Sequence, residues 1–316
     1  MQAQTCGFRR RRLFPALALL FFCLPGVSLL AGEDISSAAG RGRLNLRLPA
    51  PGDRGTPGVI PKNLAELESF TGVGFICLER GNFLVASELD PSESEYLVDG
   101  VLDFCRRALI SAYFDRLPDP QRTVNLFVFR NYQSYVSGLR NFLAMEPVSP
   151  YGHYGNSQKY LVINYDTGPG TMVHEMTHAL MADDFPAAPI WLAEGLASLY
   201  EQCRAEGNLL IGEDNWRLPE LLAASREGKL IPLSRLLTLA PAAFRSGRES
   251  LHYAEARYFC KFLEEMGALV LVYRNFRDRQ AEDPSGVKFI RETLGKPLDT
   301  IDAAWRQWLT FQSWRE

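Results

Sequence analysis

The sequence predicts an α+β fold, with a small mixed sheet in the N-terminal half and a mainly helical C-terminal half. Three observations carry this expectation. Short apolar runs bounded by turn residues recur between residues 75 and 164. Stretches with apolar residues at helical spacing lie between those runs. Beyond residue 170 helical spacing takes over almost entirely. The chain has 316 residues, 47% hydrophobic and 22% charged. That is enough to bury one sizeable core once the first 60 or so residues are set aside.

Residues 1–31 read as a signal peptide or N-terminal anchor. Arg9–Arg12 precede an apolar run from Leu13 to Leu30, and Ser28 and Ala31 offer small residues for cleavage. An 18-residue run with two prolines is short for a stable spanning helix, so export is the expectation. Anchoring through residues 13–30 is the alternative. Removing residues 1–31 leaves 30 basic against 37 acidic residues, a net charge of −7. No basic stripe interleaved with aromatics appears, which excludes a nucleic-acid surface. Residues 32–62 are rich in Gly, Pro, Ser and Arg and poor in large apolar side chains. They read as a flexible linker, leaving 63–316 as the folded unit.

Within that unit, 75–79 and 83–87 flank Arg80-Gly81-Asn82 as a β-hairpin. Pro91 opens a long amphipathic helix reaching about Phe114. Residues 124–129 form a strand and 132–143 a helix. Residues 144–157, with Pro147, Pro150, Gly152 and Gly155, read as a loop, and 160–164 as a further strand. In the C-terminal half, short helices are expected at 218–225 and 233–239. A long one starts at Ser250, and two packing helices between Gly286 and Trp314 place Trp305 and Trp308 in the core.

The chemistry concentrates at residues 171–182, which contain His174-Glu175-Met176-Thr177-His178. On a helix, positions i and i+4 share a face, so His174 and His178 can hold one metal ion together. Glu175 points about 100° around the helix from His174 and reaches a water at the metal instead. Two imidazoles with a neighbouring carboxylate base are what zinc-assisted hydrolysis requires. Only four histidines exist in the chain, and two fall at this spacing. Glu194 follows His178 by sixteen residues, in Trp191-Leu192-Ala193-Glu194-Gly195-Leu196-Ala197. Asp183 to Pro186 break the first helix and Pro189 stands near the start of the second. An antiparallel return brings Glu194 back as third ligand, and leaves one metal position open for water. His153, in the loop, receives no metal role, although it can line the cleft.

The His-Glu-x-x-His helix followed by the Trp-Leu-x-Glu-Gly-Leu-Ala helix resembles the gluzincin metallopeptidases, and more narrowly the small bacterial peptidase MA-like domains. The strong likeness spans about residues 158–202. It implies a thermolysin-like catalytic core, one Zn2+ on His174, His178 and Glu194, and Glu175 as general base. It also implies an edge strand, here within 151–164, that pairs with the substrate backbone. A Tyr or His of the C-terminal part then stabilises the oxyanion, with Tyr253 as candidate and His252 second. The chain lacks the Gly-Ala-Met-Glu-Asn-like segment by which many aminopeptidases hold a free N-terminus.

Of six cysteines, Cys77, Cys105, Cys203 and Cys260 fall beyond the N-terminal segment. They permit two disulfides in three pairings, or four buried free thiols. Taken together, the sequence leads us to expect a monomeric, exported zinc metallopeptidase acting on peptide or protein substrates. Any membrane contact is confined to an uncleaved N-terminal segment. A zinc hydrolase of non-peptide bonds, and a non-catalytic envelope binding module of the same fold, are the rival readings.

Overall fold

A computed structural model describes residues 60–117 and 122–314. The signal-peptide reading and nearly all of the linker lie outside them. The folded unit begins slightly before residue 63: Pro61 is buried, its carbonyl accepts a hydrogen bond from Asn125 Nδ2 at 2.9 Å, and Ile60 packs on the core.

Helix α1 (Leu64–Thr71) starts at Asn63, whose side chain accepts from the Glu66 N–H. Strands β1 (Ile76–Arg80) and β2 (Phe83–Ser87) form the expected hairpin, with Gly81 at φ +58° supplying the left-handed turn residue. Asp90 caps α2 (Pro91–Glu95), which continues through a π-helical stretch (Tyr96–Leu102) into α3 (Asp103–Ala112). The expected long helix is therefore present with a widened middle. Tyr96, at the start of that middle, is exposed. Strand β3 (Val124–Phe129) leads to α4 (Tyr132–Gly138), opened by an Asn131–Ser134 capping box, and a second π-helical stretch (Leu139–Leu143).

The expected loop 144–157 is corrected at its end: Gly152–Gly155 is a strand, β4, antiparallel to β5 (Tyr160–Asn164). Its two glycines and the prolines before it hid it from pattern reading. The sheet runs β1-β2-β3-β5-β4, with β2, β3 and β5 parallel and an antiparallel strand at each edge. The three central strands are buried on both faces and so read as continuous apolar runs. Alternate residues divide between two cores. Leu84, Phe127, Phe129 and Val162 join Phe70 of α1 and Phe142 on one side. Val85, Leu126, Val128, Leu161 and Ile163 face α3, the site helices and the helical half on the other.

Helices α5 (Gly170–Asp184) and α6 (Ile190–Tyr200) follow. Next comes a hairpin that pattern reading missed, β6 (Cys203–Glu206) and β7 (Leu209–Gly212). The rest is helical: α7 (Leu218–Arg226), α8 (Leu233–Leu236), α9 (Pro241–Phe244), α10 (Glu249–Glu265), α11 (Leu269–Arg279), α12 (Val287–Leu294) and α13 (Leu298–Leu309). α8 ends three residues earlier than expected. Trp305 is fully buried, whereas Trp308 is only half-buried and donates to Glu265 on the surface. Cys77, Cys105, Cys203 and Cys260 are all free thiols, and all but Cys77 are buried. Among the described residues no helix is long and apolar enough to cross a membrane.

Candidate metal centre

Helix α5 has two faces. Met172, Val173, Met176, Leu180 and Met181 enter the core beside the sheet. His174, Glu175 and His178 look into a cleft of about 1350 Å³. Helix α6 is different, with every residue buried except Ala193, which is half-buried. Two glycines set the spacing between elements. A Cβ on Gly170 would lie 2.0 Å from the Glu201 carbonyl oxygen, so a bare backbone lets the start of α5 meet the end of α6. A Cβ on Gly195 would meet Ala256 O and Cys260 Sγ, each at 2.8 Å, where α10 crosses α6. Gly195 is thus the close-packing position beside Glu194.

The sequence placed three ligand candidates on two helices, and the fold brings them together. His174 Nε2 and His178 Nε2 are 3.1 Å apart. Glu194 Oε2 lies 3.6 Å from the first and 3.2 Å from the second. Donors about 2.0–2.1 Å from a tetrahedral metal ion sit about 3.3 Å from one another, so these three atoms match one face of such a tetrahedron. The His174–His178–Glu194 group can therefore hold a metal ion, and the cleft lies open beside it.

The electrostatics agree with this geometry. Burial opposes charge on His174, but the nearby carboxylates of Glu194 and Glu201 outweigh it and raise its pKa to about 10. Two carboxylates around one imidazole make the place favourable for positive charge. Glu194 is held well below the usual carboxylate range: burial works against ionisation, and both imidazoles override it. Glu175 goes the other way. Burial raises its pKa, offset in part by His174, His178 and a hydrogen bond from the Tyr154 backbone N–H. A carboxylate of raised basicity beside the ligand set is suited to taking a proton.

Four further residues complete the surroundings, and sequence reasoning passed over them. Glu201 lies seven residues beyond Glu194, two turns along the same face of α6. Its Oε2 stands 3.3 Å from His174 Nδ1, while Asn215 Nδ2 (2.8 Å) and Arg217 Nη2 (3.4 Å) hold Oε1. This carboxylate orients the imidazole from behind. The seven-residue spacing was the available signal. Arg245, in the turn after α9, places Nη2 2.9 Å from Glu194 Oε1, and nothing local in the sequence marked it. Tyr253 lines the cleft together with Glu194 and Arg245. Burial keeps the Tyr253 hydroxyl protonated. His252 is turned away: it is buried, and Nδ1 meets the Phe244 carbonyl at 2.8 Å. His153 sits on β4 at the cleft, its Nε2 3.2 Å from the Tyr160 hydroxyl and remote from the ligand set.

The chain matches no model of a known protein family and no curated protein.

Proposed function

We propose that this protein is an exported zinc-dependent peptide-bond hydrolase of gluzincin type. One observation carries the reading: three donor atoms spaced as a tetrahedral face stand beside a separate, half-buried carboxylate at an open cleft. His174, His178 and Glu194 would hold the zinc ion, which would supply a Lewis acid and lower the pKa of a bound water. Glu175 takes the proton of the attacking water and returns it to the leaving amine. Tyr253 donates its hydroxyl to the oxyanion that develops at the scissile carbonyl. Glu201 keeps the His174 ring turned so that Nε2 faces the other two ligands. β4 is an edge strand beside the cleft, a position that suits main-chain recognition of an extended peptide with little reading of sequence.

Exposure of the purified protein to a peptide library, with products read by mass spectrometry, tests the reading. The wild type is expected to cleave. Glu175→Gln is expected to retain its zinc and lose about 10²–10⁴-fold in rate, the usual contribution of a positioned base. A Glu175→Gln protein of undiminished rate refutes the assignment of the base. A wild type that holds zinc and leaves every peptide intact refutes the peptidase.

A further inference from the structure

The two walls of the cleft differ in charge. The β4 side presents Val148, Pro150, Tyr151 and Tyr154 and no cation. The helical side presents two guanidinium groups beside one tyrosine. Arg217 lies over the Tyr253 ring, 5.6 Å from its centroid, and over Trp216 at 5.1 Å. Arg245 and Tyr253 line the same wall. Each arginine also holds a carboxylate of the metal centre: Arg245 holds the ligand candidate Glu194, and Arg217 holds Glu201 behind His174.

Neither arginine is used up by those contacts. Arg245 gives Nη2 to Glu194, yet its side chain remains 52% exposed at the cleft. Arg217 Nε is buried without a hydrogen-bond partner. Glu194 turns Oε2 to the two imidazoles and only Oε1 to Arg245, so its negative charge is shared between the two sides. The other acid on this wall, Glu249, is exposed at the rim. A planar fork of N–H donors flanked by aromatic faces matches a carboxylate, and charge-assisted bonds of this type are the strong ones.

We propose that Arg245 and Arg217 form a carboxylate-binding subsite on the helical wall, and that the substrate is a peptide bearing an acidic group there. That group is either the peptide's C-terminal carboxylate or an Asp or Glu side chain. This proposal rests on the peptidase reading and narrows its substrate class.

The test uses the full zinc-loaded protein carrying Glu175→Gln, which binds without turnover. Peptides are supplied in pairs that differ only by one carboxylate: free against amidated C-terminus, and Glu against Gln at each internal position. Calorimetry reads affinity, and zinc content is measured in parallel. One kind of pair is expected to favour its acid member by about tenfold or more, as a charge-assisted contact does. Preference for the free C-terminus assigns a carboxypeptidase-like subsite, and preference for Glu assigns a side-chain subsite. The advantage is expected to shrink to near unity in Arg245→Gln and to return in large part in Arg245→Lys. Equal affinity of acid and neutral members across the panel overturns the subsite and leaves the peptidase reading standing. Failure of every peptide to bind overturns both.

Discussion

Helices α5 and α6 meet at the same site and are built on opposite plans. α5 is two-faced, with Met172, Met176, Leu180 and Met181 to the core and His174, Glu175 and His178 to the cleft. α6 is enclosed on nearly every side, and α10 presses on it at Gly195. The polar groups that α5 turns to the cleft keep some contact with solvent. Those on α6 do not, and an ionised carboxylate without partners in such a place is costly. Both acids, Glu194 within α6 and Glu201 just past its end, are accordingly partnered: Glu194 by two imidazoles and Arg245, Glu201 by His174, Asn215 and Arg217. In an enclosed helix, the partners of a carboxylate say what it is for.

The comparison can be broken at Glu201. Glu201→Gln keeps the volume but removes the charge behind His174. Zinc affinity is expected to fall about 10–100-fold, the usual loss when an outer partner of a ligand is removed. Competition with a chelator of known affinity measures it. Unchanged affinity shows that the 3.3 Å contact to Nδ1 carries no orienting role.

A second test acts on packing. Gly195→Ala forces a methyl against Ala256 O and Cys260 Sγ, and the first of these is backbone that cannot turn aside. The expected cost is about 1–3 kcal/mol in urea-induced unfolding, with some loss of zinc affinity because Glu194 is the adjacent residue. An unaltered midpoint shows that α6 and α10 have slack.

The smallest effect concerns Glu255 of α10, a buried acid without such partners. Its Oε1 accepts the Ile231 N–H at 2.8 Å, while Oε2 has no hydrogen-bond partner. Burial outweighs that bond and the nearby Arg248 and Arg306, and pushes its pKa from 4.5 up to about 7. The folded form therefore binds a proton that the unfolded form has released between those values. Stability is expected to fall as pH rises from about 4.5 through about 7, by on the order of 2 kcal/mol from this group. Glu255→Gln removes that part of the slope. Identical pH profiles for the two proteins contradict it.

Much of this was legible in the sequence, for identifiable reasons. The central strands show as apolar runs, and the spacing of His174, Glu175 and His178 is fixed by one helix. Glu194 was legible because a lone acid among Trp191, Leu192, Leu196 and Leu199 is out of place on a solvated face. β4 was not, since two glycines and flanking prolines read as a loop while the free edge of β5 supplies the pairing that makes a strand. The β6–β7 hairpin is four residues a side, too short for a pattern. Tyr253 stood ahead of His252 on the family resemblance alone, and it is α10 that turns Tyr253 to the cleft and His252 to the Phe244 carbonyl. Arg245 depends on tertiary contact over 51 residues, which no local signal carries.

The central claim is that His174, His178 and Glu194 hold one zinc ion. Elemental mass spectrometry of the purified protein, wild type beside His178→Ala, tests it most directly. The account predicts about one zinc per wild-type chain and none in the variant, since two donors remain where a catalytic site needs three. A wild type that takes up no zinc even after incubation with the metal contradicts the account. So does a variant that retains the full complement.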